Sequence, residues 1–73
     1  MNHAQKYLAQ ANRQIAELMV QIVRQRAIVK HAFDTGPRSE MAESMLNALE
    51  GSLRIFEKHR ELILSQLLRQ RSE

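Results

Sequence analysis

"AFDTGPRSE", residues 32–40, separates two long segments in which apolar residues recur with a helical period. The stretch holds the chain's one proline, Pro37, and one of its two glycines, Gly36. Glycine at Gly36 suits the left-handed conformation that ends many helices. Pro37 cannot continue that helix, and its fixed φ fits the entry to another. Ser39 is a good N-cap, and Glu40 in the first turn complements the helix dipole. A cap at Gly36 with Pro37 as first helical residue is the competing arrangement. In both cases so short a connection makes the flanking helices antiparallel neighbours. The expected fold is therefore all-α: one antiparallel two-helix hairpin domain over residues 1–73, with a helix over 4–33, a turn over 34–38 and a helix over 39–70. Residues whose numbers sum to about 72 should then face each other, such as Val29 with Glu43 and Ile22 with Leu49 or Glu50.

Outward from the turn, each segment carries a wide apolar arc. At 100° per residue, Leu8, Ala11, Ile15, Met19, Ile22, Val29 and Phe33 share one stripe of the first helix. Ala16, Val20, Val23 and Ala27 widen it on one side, Tyr7 and Leu18 on the other. The second helix has Ala42, Leu46, Leu49, Leu53, Phe56, Ile63 and Leu67 at its centre, with Met41, Met45, Ala48, Ile55 and Leu62 on one flank. "LILSQLL", residues 62–68, is apolar almost all round. A stripe that serves one partner helix spans about 100°, and these arcs are wider, so each helix needs more than one neighbour. Gly51 falls on the polar side of the second helix, where the pattern gives no reason for it.

Size points the same way. A chain of 73 residues is at the limit below which disulfides, a metal or self-association usually supply the missing stability. There is no cysteine, which removes disulfides and thiolate metal sites. His3, His31 and His59 form no pair at helical spacing, and no carboxylate–histidine motif of the bundle type occurs, so neither a metal nor another cofactor is expected. Self-association remains, and two hairpins pairing into a four-helix bundle would cover the arcs. The expected homodimer interface is Val20, Val23, Ala27, Ile55 and Leu62. No apolar run reaches the length of about 20 residues needed to span a bilayer. "MNHAQKYLAQANRQ", residues 1–14, lacks the apolar core of a signal peptide. A cytoplasmic protein with no membrane contact is the expectation.

"IVRQRAIVKHAFDTG", residues 22–36, followed by "AESMLNALEGSLRIFEKHRELI", residues 42–63, resembles a group of short helical-hairpin proteins found in alpha-proteobacteria. In that group a "QR" plus aliphatic pattern precedes a Gly-containing turn. A Ser or Thr cap, an "LL…E" stretch and an "HR"- or "DR"-like segment follow it. The resemblance covers roughly residues 22–64. Pro37 and Arg38 stand where the group's pattern has a more polar, acidic turn. What the resemblance implies is the hairpin fold; it carries over no activity and no catalytic residue.

Few residues suggest chemistry. Arg26 lies by phase within the apolar arc of the first helix, where a guanidinium must find a partner or reach solvent. A guanidinium that snorkels out to solvent or pairs with Glu50 across the hairpin, as a buried ion pair, is one reading, an anion-binding arginine in a groove the other. His59 and Arg60, beside Phe56 and Ile63, are candidates for anion or partner contact. The blander reading pairs Arg60 with Glu57 one turn back. The cluster "RQRAIVKH", residues 24–31, does not form one basic stripe, since Arg24 and His31 fall on the polar face and Arg26 does not. No nucleophile stands beside a base, so no catalytic residue is assigned and no enzyme is expected. The net charge of +3 is compatible with nucleic-acid contact without requiring it. The reading is a non-enzymatic hairpin module or small regulator, homodimeric and able to pack against another protein. The alternative is an RNA-binding four-helix-bundle dimer similar in architecture to the plasmid copy-number regulator Rop.

Overall fold

The computed structural model describes residues 3–36 and 39–72. Helix α1 runs His3–Thr35 and helix α2 runs Glu40–Ser72. Helix α1 extends one residue further at its start and two at its end than the sequence pattern suggested, whereas α2 starts one residue later and ends two residues later. The two lie against each other and no strand occurs among the described residues. Cross-helix contacts join the start of α1 to the end of α2, and the end of α1 to the start of α2. The helices are therefore antiparallel.

The turn differs in one respect from expectation. The Gly36 N–H donates to Ala32 O at 3.1 Å, continuing the helical ladder. Thr35 Oγ1 donates to His31 O at 2.7 Å, satisfying another carbonyl of the last turn. Gly36 does not have a positive φ, so the left-handed cap is absent there, and a Cβ at this position would meet open space. The entry to α2 is the Ser39 arrangement. The Ser39 hydroxyl accepts the Ala42 N–H at 3.2 Å, and Ser39 O accepts the Glu43 N–H at 3.1 Å. A side chain that takes an otherwise orphaned amide three residues on is an N-cap. Glu40 and Glu43 add negative charge in that first turn. The roles expected of Pro37 and Arg38 lie outside the described residues.

Which residues meet in the seam is set by a period of 3.5. On α1 the buried and half-buried positions include Ala4, Leu8, Ala11, Ile15, Leu18, Ile22, Gln25, Val29 and Ala32. On α2 they include Ala42, Leu46, Leu49, Leu53, Phe56, Arg60, Ile63 and Leu67. The alternating steps of four and three are those of an a/d heptad seam. A straight 3.6-residue phase drifts by about 20° per heptad from such a seam. Over a helix of 33 residues the drift is enough to misplace side chains. Met19 and Phe33, expected at the centre of the α1 stripe, are 54% and 68% exposed. Gln25 and Ala32, left out of it, line the seam instead.

This core is thin. Among the described residues Ala4, Ala11, Ile15, Ile22, Ala42 and Ile63 are the buried apolar side chains, and none of the large ones is fully enclosed. The rod measures 59 × 16 × 13 Å with a radius of gyration of 16.8 Å, against about 11 Å for a compact domain of this length. It exposes 5995 Å², whereas a compact monomer of its mass exposes about 4,700 Å².

Candidate interaction surface

The seam uses one side of each helix, and heptad phase fixes what the remaining sides carry. Four residues of α1 point away from α2 at steps of four and three: Ala16, Val20, Val23 and Ala27. All four are exposed, Val20 at 52% and Val23 at 65%. Met19 and Arg24 border Val20 and Val23 in a shallow apolar depression. On α2 a second set, Met41, Met45, Ala48, Ile55 and Leu62, follows the same spacing outside the seam and is exposed throughout.

These sets do not share a face. The seam has two flanks, marked by the contacts that cross them. Arg26 meets Glu50, and Arg60 meets Asn12, along one flank. Tyr7 and Gln66 line a common depression on the other. By phase the α1 stripe leans toward the Arg26 flank and the α2 set toward the Tyr7 flank. The five residues expected to form one dimer interface therefore divide: Val20, Val23 and Ala27 on one side, Ile55 and Leu62 on the other. A sum over the wheel of each helix cannot reveal this, because it is the antiparallel pairing that turns the two arcs in opposite directions.

Arg26 and Glu50 do come together, with Nη2 3.4 Å from Oε2. The buried form of the pair is corrected, since the side chains are 61% and 33% exposed, and the guanidinium snorkels out as the other form of that reading has it. Arg26 sits on the rim of the seam, where its guanidinium reaches Glu50 and water at once, so it bears no desolvated charge. Arg60 occupies a seam position, and its Nη1 donates to Asn12 Oδ1 at 3.3 Å across the hairpin. That contact replaces the anticipated pairing with Glu57. His59 is exposed on the Tyr7 flank beside the α2 set. Lys30 pairs with Asp34 at 3.3 Å along α1. Among the described residues no group of carboxylates and imidazoles could hold a metal ion.

One residue escaped the sequence reading. Gln25 is 7% exposed, and its Nε2 donates to Ala42 O at 2.9 Å. A single amide in an apolar seam, bonded to the partner helix's backbone, favours one register over those shifted by a heptad. The signal was available: Gln25 continues the run Ala11, Leu18 and Ala32 at steps of seven, a repeat that strict 3.6 phasing obscures.

Comparison with protein-family models, curated proteins and solved structures finds no match to this chain.

Proposed function

We propose that the protein is a non-enzymatic helical-hairpin interaction module that acts as a homodimer, four helices forming the assembled unit, in the cytoplasm. The observation that carries this is the pair of uncovered apolar stripes on a hairpin whose own core is too thin. The surface in excess of a compact monomer's, about 1,300 Å², exceeds the roughly 800 Å² that each partner gives to a standard interface. Val20, Val23, Met41, Met45, Ile55 and Leu62 are each more than half exposed, and clustered exposed apolar side chains on a small chain mark an association site. One stripe joins the two copies, and the other is left for a second protein, for which Met41 and Met45 supply adaptable side chains. Kinship with the short alpha-proteobacterial hairpins belongs to the same proposal and adds only the fold.

Sedimentation velocity over a dilution series tests the reading. The expected result is a dimer at micromolar concentration that dissociates on dilution; a folded monomer at every concentration would overturn it. The RNA-binding alternative rests on the charge of +3 and on fold analogy. It requires a gel shift at low salt that weakens steeply as salt rises.

A further inference from the structure

The stripe on α1 has an internal symmetry that the α2 set lacks. Read from the point midway between Gln21 and Ile22, its four residues mirror one another: Val20 with Val23, and Ala16 with Ala27. A two-fold axis through that point, perpendicular to the helix, would lay α1 against α1 of a second copy with every layer matched. Valine would meet valine in the two central layers. Alanine would meet alanine in the two outer ones, where the small side chains let the backbones approach.

The charges beside the stripe follow nearly the same symmetry, the pair Glu17 and Arg24 being centred one residue earlier. Glu17 and Arg24 lie on its edge away from Arg26, both exposed. Neither makes an ion pair within the described hairpin. Under the two-fold operation Glu17 of one copy comes within a turn of Arg24 of the other, twice per dimer. A parallel pairing would instead set Glu17 against Glu17 and Arg24 against Arg24. Beyond the outer alanines the operation sets Arg13 of one copy opposite Lys30 of the other, a like-charge layer in which Lys30 has its own counter-ion, Asp34, at 3.3 Å along α1.

We propose that the homodimer forms through this α1 stripe, a second copy of the chain docking antiparallel on Ala16, Val20, Val23 and Ala27. The interface is isologous, the same patch on both subunits, as two-fold dimers require. It leaves the α2 set of Met45, Ile55 and Leu62 uncovered on the far side of each hairpin. The proposal rests on the homodimer reading above and adds the face and the direction of pairing.

Because the chain has no cysteine, engineered thiols report on this without background. Val20→Cys and Val23→Cys chains, one of them mass-labelled, are mixed and oxidised, alongside each variant alone and Leu62→Cys as a control. The mixed pair is expected to cross-link several-fold faster than either variant alone, since a disulfide tolerates Cα separations of at most about 7 Å. Fastest linking of Val20→Cys to itself would show parallel pairing and overturn the proposal. So would Leu62→Cys linking while the Val20→Cys and Val23→Cys mixture does not, in an assembly that sedimentation shows to be dimeric; the homodimer reading would survive that result. A wild-type chain that is monomeric at all concentrations would remove both. Charge reversal gives a second measure: Glu17→Arg and Arg24→Glu should each weaken dimerisation several-fold, and the double variant should restore it. Two weakened single variants without restoration in the double would show that the residues do not meet across the axis.

Discussion

Replacing Gln25 with leucine should not destabilise the hairpin, although it removes a buried hydrogen bond. Gln25 is 7% exposed and its amide donates to Ala42 O at 2.9 Å. The net worth of such a bond is about 1 kcal/mol, because the amide surrenders its water on burial. The Ala42 carbonyl is not orphaned by the change, since helix α2 continues past it and the ladder supplies the N–H of Leu46. Leucine adds the equivalent of two apolar carbons to the seam, worth about 0.8 kcal/mol each. The two effects nearly cancel, and Gln25→Leu is expected to fall between neutral and about 1 kcal/mol more stable. Gln25→Ala loses the bond and leaves a cavity without compensation, a loss of about 2 kcal/mol or more. The assay is urea denaturation at one fixed protomer concentration, with the slope required to stay constant between variants. A leucine variant more than about 1 kcal/mol less stable than the parent would refute the reasoning. It would mean that the amide contributes stability in addition to register.

Gly51→Ala should stabilise by about 1 kcal/mol, because the new Cβ meets only Arg54 Nη2 at 3.9 Å; a loss in thermal unfolding would show that the glycine permits a close approach. Ser39→Ala should cost about 1 kcal/mol through its bond to Ala42 N–H, whereas Ser39→Gly should cost less, and equal losses would deny the cap. A double-mutant cycle with Arg26→Met and Glu50→Gln should give a coupling below about 1 kcal/mol that fades in high salt, as for an exposed pair; a coupling of about 3 kcal/mol or more would restore the buried reading.

The turn and the antiparallel hairpin were legible because punctuation is local. Ser39 carries its own capping chemistry, and a short connection leaves little choice of direction. The α2 seam was also legible, since its large residues, Leu46, Leu49, Leu53 and Phe56, stand at heptad positions. On α1 Leu8, Ala11, Ile15, Ile22 and Val29 were placed rightly in the seam, but its other positions include the small or polar Ala4, Gln25 and Ala32. Hydrophobicity alone therefore drew Met19 and Phe33 into the stripe in place of Gln25 and Ala32, and Arg26 with them. Glycine at Gly36 misled for a different reason. Its freedom permits a left-handed cap without demanding one, and the helix instead continues until Gly36 N–H has bonded to Ala32 O. That the two outer stripes face apart could not be read from either helix by itself.

The central claim is that one hairpin is an incomplete fold, and the dependence of its melting temperature on concentration tests that claim most directly. Two chains of 73 residues, at about 0.7 kcal/mol per residue, give an unfolding enthalpy of about 100 kcal/mol. A dimer that melts with dissociation then gains about 1.4 kcal/mol for each tenfold rise in protomer concentration. Converted through that enthalpy, the melting temperature rises by about 5 °C per tenfold. The account predicts that slope between about 1 and 100 μM. A melting temperature unchanged over that range would show that a single hairpin folds alone, and would contradict it.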